Sequence, residues 1–235
     1  MIKTEPILIR NMEKKPTVSV IITCRNLESY LDEAVDSVKG QTVRPYETIL
    51  VHDACEHPKA YADITTVIRD RHLGVAATRD EGVRLAKGEW LLFLDADDML
   101  AENYIEECLK HADKADIIYP DVLLWCYWGK EAPKPNAWHP APARITEKLM
   151  LHHNEVVVSS LMRRRVYDNM GGFDPVLPVF EDWDFFLKAI IAGFTFRRAN
   201  TYLKYRQRSN SRNRQSENIR QEVIKQIRAR YQGHV

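Results

Sequence analysis

The chain has no long apolar run. The nearest candidate, VLLWCYW at 122–128, falls well short of the roughly 20 apolar residues that a membrane span needs, and it reads as a buried strand. The opening MIKTEPILIRNMEKK holds no apolar core of signal-peptide length. Net charge is also missing: 34 Lys and Arg against 33 Asp and Glu leave +1, so no global field draws the chain to nucleic acid or to a membrane. The four cysteines, Cys24, Cys55, Cys108 and Cys126, form no CxxC pair. That argues against a zinc site and predicts free thiols in or near the core of a cytoplasmic protein. No G-x-G-x-x-G follows the first apolar stretch, which excludes a Rossmann dehydrogenase. There is no internal repeat and no low-complexity tract.

What is present is an ordinary globular composition, 45% apolar and 29% charged, with enough residues for one large domain or two small ones. The near-neutral total hides an asymmetry. Eleven Lys or Arg face two acids between Arg197 and Arg230, so the rest of the chain is acidic. Two readings follow for this tail: a solvated helix balancing an acidic body, or a surface for an anionic acceptor such as nucleic acid or a membrane-associated glycan or lipid. The second would allow peripheral attachment at a membrane surface.

Periodicity predicts a mostly parallel sheet flanked by helices. TVSVIIT (17–23), YETILV (46–51), ITTVI (64–68) and WLLFL (90–94) read as strands. Between them, apolar positions recur at helical spacing in NLESYLDEAVDSVKG and GVAATRDEGVRLAKG, with Gly40 and Gly88 at the ends. A third helix is expected over AENYIEECLKHA, then strands at DIIYP and VLLWCYW. APKPNAWHPAPA reads as a surface loop. A helix near 146–153, a strand near 156–161, a turn at Gly171-Gly172, a helix around 181–192, the strand TYLKY and a basic C-terminal helix complete the chain. The expected organisation is an N-terminal extension (1–16), one α/β domain (17–205) with a ligand-binding half (17–128) and a second half (129–205), then a basic loop and helix (206–235).

The chemistry concentrates after the fourth strand. LLFLDADDML places Asp95, Asp97 and Asp98 within four residues, at the C-terminal strand end where open α/β sheets hold their ligands. Clustered carboxylates repel unless a cation sits between them, and hard oxygen ligands suit Mg²⁺ or Mn²⁺. The bland reading is a turn, with Asp98 capping the helix that follows. Asp53 ends the second strand beside the same crevice, or makes an Asx turn. FEDWDFF sets Glu181, Asp182 and Asp184 around Trp183 at a helix start, where the dipole favours acids anyway. Arg79 lies on the second helix, where it could equally be a surface residue.

In order, VSVIITCRN, ILVHDAC, GVAATRDEGVRLAKGEWLLFLDADD and GGFDPVLPVFEDWDFFLKAIIAGF resemble family-2 glycosyltransferases of the GT-A fold over about residues 17 to 205. The resemblance implies inverting transfer of a sugar from a nucleotide-diphosphate donor, with a UDP-sugar the expected one, to an acceptor hydroxyl. It implies that Thr23 lines the nucleotide site, Asp53 accepts from the donor base, and Arg79 lies near the donor. Asp97 would bind Mn²⁺ or Mg²⁺ directly, and Asp95 would sit by the ribose or the water shell of the metal. Glu181-Asp182 would carry the catalytic base, with Asp182 preferred, and Trp183 would meet the acceptor. Arg206 and Arg208, in a stretch where the family has a mobile loop, would contact the diphosphate. The chain departs from the family at His52-Asp53-Ala54-Cys55, where acid-acid-Gly-Ser is common, at Arg25 for an aromatic, and at Asp80 for Asn. Competing readings are a haloacid-dehalogenase-like phosphatase using Asp95 and Asp97, a sugar nucleotidyltransferase that would need an N-terminal Gly-rich loop, and a non-catalytic nucleotide-sugar-binding module.

Overall fold

The computed structural model describes residues 16–126, 134–207 and 217–234. Four strands, β1 (Val18–Cys24), β2 (Glu47–Asp53), β3 (Thr65–Arg69) and β4 (Trp90–Asp95), run parallel in the order β3-β2-β1-β4. β1 is buried along its whole length, because helices cover both faces and leave no polar side for alternation. Val20 and Ile22 join the core shared with helix α1 (Glu28–Lys39), whereas Ile21 joins the core under helix α2 (Val75–Leu85). α2 lies close on β1 at Gly82, where an added Cβ would come within 2.3 Å of the Ile21 side chain. The strand order turns at β1, and its end is where a ligand crevice belongs.

The second half extends the same sheet. It comprises β5 (Met99–Leu100), α3 (Tyr104–Leu109), β6 (Ile117–Cys126), β7 (Lys134–His139), α4 (Glu147–His152), β8 (Leu161–Arg163), α5 (Arg164–Met170), α6 (Glu181–Ile191), β9 (Phe196–Gln207) and α7 (Glu217–Tyr231). The full order is β3-β2-β1-β4-β8-β6-β9-β5, with β7 pairing β6. Three-residue β8 runs antiparallel to both β4 and β6 and so joins the halves. β4 and β5 stand four places apart in this order, yet only residues 96–98 separate them in sequence. The sheet must therefore curl, and the Asp-rich turn bridges the curl.

Several expected elements shift. DIIYP and VLLWCYW form one strand, β6, whose register against β9 breaks between Tyr119 and Asp121, at Pro120, as a residue without an N–H requires. That strand is only half-buried from Val122 to Trp125. The Pro-rich stretch expected as a loop contains β7, which pairs antiparallel with β6. The strand expected near 156–161 is displaced to β8. Arg206 and Gln207, expected in a loop, continue β9 because β6 supplies partners as far as Cys126. Arg208 lies outside the described residues, as do Arg212 and Arg214.

Candidate active site

Three parallel strands deliver their last residues to one place. Thr23 and Asp95 are register partners on β1 and β4, and the Thr23 hydroxyl donates to Asp95 Oδ1 at 3.0 Å. Asp53, at the end of β2, is buried and accepts from the backbone N–H groups of Leu73 and Gly74 (3.0 and 3.2 Å), with His72 Nδ1 at 2.6 Å. It thereby fixes the entry to α2. A cavity of about 660 Å³ opens over these strand ends, within the size range of small-molecule sites. Asp53, Asp95, Asp97, Glu181 and Asp182 all line it.

Arg79 organises the centre. It is 2% exposed, not the surface residue its helical spacing allows. Nη1 donates to Glu181 Oε1 at 2.8 Å and Nη2 to Asp95 Oδ1 at 3.1 Å, and the guanidinium stacks 5.1 Å from the Phe173 ring. One side chain from α2 thus ties the end of β4 to the start of α6. Burial alone would lower the Arg79 pKa; Asp95, Glu181 and Asp182 outweigh it and hold the charge. Burial raises the Asp182 carboxyl to about 6; Glu181 adds to the rise and Arg79 opposes it. Asn154 and the Trp183 N–H donate to Asp182 Oδ1 at 3.4 and 2.8 Å. A carboxylate with pKa near 6 is poised to take a proton at neutral pH.

Asp98 parts company with its neighbours. It lines the cavity with them but is 3% exposed and accepts from the Arg206 backbone N–H at 2.8 Å; it does not cap a helix. Burial pushes its carboxyl pKa well up, with the charges of Asp97 and Asp95 adding to the effect. Asp95 and Asp97 remain at the cavity, and their oxygen donors fit a hard divalent cation in chemistry.

Two expected contacts are not met. The Arg206 guanidinium faces inward: it donates to the Asp97 carbonyl and to Glu33 at 3.0 and 2.6 Å and stacks on Tyr30. It buttresses the Asp-rich turn from behind and does not line the cavity. Trp183 points into the core, 3% exposed, with its indole N–H donating to the Met150 carbonyl. Phe180 lines the cavity in its place, in the left-handed conformation (φ 62°) just before α6 and edge-on to Trp183, and Tyr205 lines it as well. A run of aromatics and acids gives no sign of which ring faces out. Arg25 and Asn26, the end of VSVIITCRN, also line the cavity, as do His72 and Asn154, which carried no motif to announce them. Asp80 accepts from the Tyr167 hydroxyl beneath the site.

The basic tail is anchored to the body. α7 buries Val223, Ile227 and Tyr231, Arg228 donates to the Leu151 and His152 carbonyls at the end of α4, and Arg230 pairs with Asp174 and Asp184. These two arginines tie α7 to the body while remaining exposed. Among the described residues, no helix is long and apolar enough to cross a membrane.

Comparison with known proteins agrees with this architecture. A family model described as Glycosyl transferase family 2 matches residues 19–171, more than half of the chain. The chain belongs to that family. Among relatives, an uncharacterized glycosyltransferase of Bacillus subtilis is 28% identical over 73% of this chain and 67% of its own length. One from Methanocaldococcus jannaschii is 28% identical over 82% of this chain and 71% of its own. Crystal structures of S. aureus TarS share the GT-A fold: residues 1–349 superpose with a TM-score of 0.65 at 18% identity, covering 90% of this chain and 64% of that one. The UDP-GlcNAc complex of TarS gives 0.66 at 16% identity, covering 93% and 72%. This glycosyltransferase thus spans about two thirds of the length of these relatives. The phosphatase and nucleotidyltransferase readings fall with the family assignment.

Proposed function

We propose that this glycosyltransferase moves a sugar, with inversion, from a UDP-sugar to an acceptor hydroxyl, using Asp182 as general base. The observation that carries the reading is the Arg79 bridge, which joins Asp95 at the strand end to Glu181, the neighbour of Asp182, across one cavity. Asp182 would take the acceptor proton as the hydroxyl oxygen attacks the anomeric carbon, and the bond to the nucleoside diphosphate would break. Glu181, paired with Arg79, is less free to act as base. Asp97 and Asp95 would hold Mn²⁺ or Mg²⁺, which when bound neutralises the charge of the leaving diphosphate. Thr23, Arg25, Asn26 and Asp53 would form the nucleoside wall. The TarS structures solved with UDP and with UDP-GlcNAc support a uridine donor. Phe180 and Asn154, beside Asp182, would face the acceptor.

A thermal-shift panel of nucleotide sugars, with Mn²⁺ and with EDTA, tests the donor and metal assignments, because a ligand that binds only the folded state raises the melting temperature. The expected result is stabilisation by UDP and UDP-sugars that requires the metal and is lost in Asp97→Ala. Equal stabilisation in EDTA would remove the metal from the proposal, and a stronger response to another nucleotide would change the donor.

A further inference from the structure

Next to the proposed nucleoside wall, three soft ligands converge where the spacing of the cysteines predicted none. Cys24 ends β1 and His52 is its register partner on β2. Cys55 follows two residues after Asp53, brought round by Ala54 in the left-handed conformation (φ 52°). One ligand atom from each residue lies within 4.8 Å of the other two. We propose that Cys24, His52 and Cys55 form a structural Zn²⁺ site, separate from the hard-cation site at Asp95 and Asp97.

The distances suit zinc. Two thiolates about 2.3 Å from a tetrahedral ion stand about 3.8 Å apart, and the two sulfurs are 3.8 Å apart. His52 is fully buried. Its Nε2 lies 2.8 Å from the Lys59 carbonyl, a contact that calls for a proton on Nε2 and leaves Nδ1 with a bare lone pair. Nδ1 is buried and has no hydrogen-bond partner. A backbone acceptor on the outer nitrogen, fixing the tautomer that offers the inner one, is the usual outer shell of a histidine ligand. Without an ion, the orphan nitrogen is a buried polar group with its hydrogen bond unmet. The Asn26 N–H points at Cys55 Sγ at 3.4 Å, a donor that stabilises a thiolate. The Glu28 carboxylate is in hydrogen-bonding contact with Cys55 but lies outside the three-residue cluster.

Binding balances as Zn²⁺ replacing two thiol protons, which leave to solvent; the contact from the Cys55 thiol to the Cys24 carbonyl at 3.2 Å is given up. Thiolate and imidazole select zinc over Mg²⁺ or Mn²⁺. The ion would clamp the end of β1 to the loop after β2, fixing Arg25, Asn26 and Asp53 along the cavity.

The test is zinc content and cobalt spectroscopy on the untagged full chain. The reduced protein is loaded with Zn²⁺ in excess Mg²⁺, desalted, and assayed for metal by elemental and native mass spectrometry. The expected result is about one zinc per chain in the native protein and in Cys108→Ala. Retention should fall at least about tenfold in Cys55→Ser, a half-buried position whose variant is checked for native circular dichroism. Co²⁺ should give tetrahedral ligand-field bands and thiolate charge transfer in the native protein and in Cys108→Ala but not in Cys55→Ser. No retained zinc, equal retention in Cys55→Ser, or octahedral cobalt in the native protein would overturn the site.

Discussion

Asp182→Asn should make the protein more stable while nearly abolishing turnover. Arg79 carries one positive charge among Asp95, Glu181 and Asp182, so this cluster is over-supplied with carboxylate. Burial, and then Glu181, raise the Asp182 pKa from 3.8 to about 6. Each pKa unit corresponds to 1.36 kcal/mol, so ionised Asp182 costs the fold at most about 3 kcal/mol. Its partial exposure to the cavity reduces the expected figure to about 1.5–3 kcal/mol. The sign follows from proton counting: between about pH 4 and 6 the folded state binds more protons than the unfolded one, so stability falls as pH rises through that window. Asn keeps an oxygen to accept from Asn154 and the Trp183 N–H but carries no charge. Thermal unfolding at pH 7.5 should therefore show the variant melting about 3–10 °C higher, for a chain of this size. At pH 4.5 the gain should shrink by more than half, because native Asp182 is already protonated there. Transfer assays on the same samples should show turnover down by about 10²-fold or more with donor affinity unchanged. A melting temperature that is unchanged at pH 7.5, or raised equally at both pH values, would refute the assignment of a strained charge to Asp182.

The remaining expectations divide the site from its supports. In the native enzyme kcat/KM should fall about tenfold per unit below pH 6, as Asp182 takes up its proton; a profile flat to pH 5 would place the base elsewhere. Trp183→Ala should cost about 3–5 kcal/mol of stability, as a buried indole does, whereas Phe180→Ala should raise the acceptor KM with little change in melting. The reverse pattern would restore Trp183 to the acceptor side. Arg206→Ala should lower stability by about 2–3 kcal/mol through its lost internal contacts; a large donor KM effect without that loss would mean that it reaches the diphosphate after all.

The parts of the fold that were legible in the sequence are those set by local pattern. β-branched runs and helical spacing located β1, β2, β4, α1, α2 and α6, and a strand followed by D-x-D placed Asp95 and Asp97 at a ligand crevice. What stayed hidden depends on partners distant in sequence. Arg79 reads like any helical arginine until Glu181, 102 residues away, comes beside it. Asp98 looks like its two neighbours until β9 supplies the N–H that turns it inward. Trp183 and Phe180 are both large rings near acids, and only the left-handed turn at Phe180 decides which one faces the cavity. The prolines in and around β7 signal a loop, yet a strand that among the described residues pairs only β6 tolerates the one it contains. Cys24 and Cys55 are thirty-one residues apart, and no spacing rule anticipates a pair made by adjacent parallel strands.

The curl of the sheet has a consequence for how the chain is made. Residues 16–95 can pair into four parallel strands as they emerge, but the turn after β4 leads into β5, whose sheet partner is β9. Asp98 waits 108 residues for the Arg206 N–H that receives it. At a synthesis rate of about 5–20 residues per second, that gap is roughly 5 to 20 seconds during which Asp98 lacks its β9 partner and the far end of the turn is held only through α1 and the residues after it, at Ser37, Gln41 and Thr42. A nascent chain at this stage can already hold Asp53 and Asp95 through partners within residues 16–95, but it has no β9 to receive Asp98. Donor binding should thus switch on late, in a single step with the docking of β9, and a ribosome-arrested chain ending before residue 196 should have none.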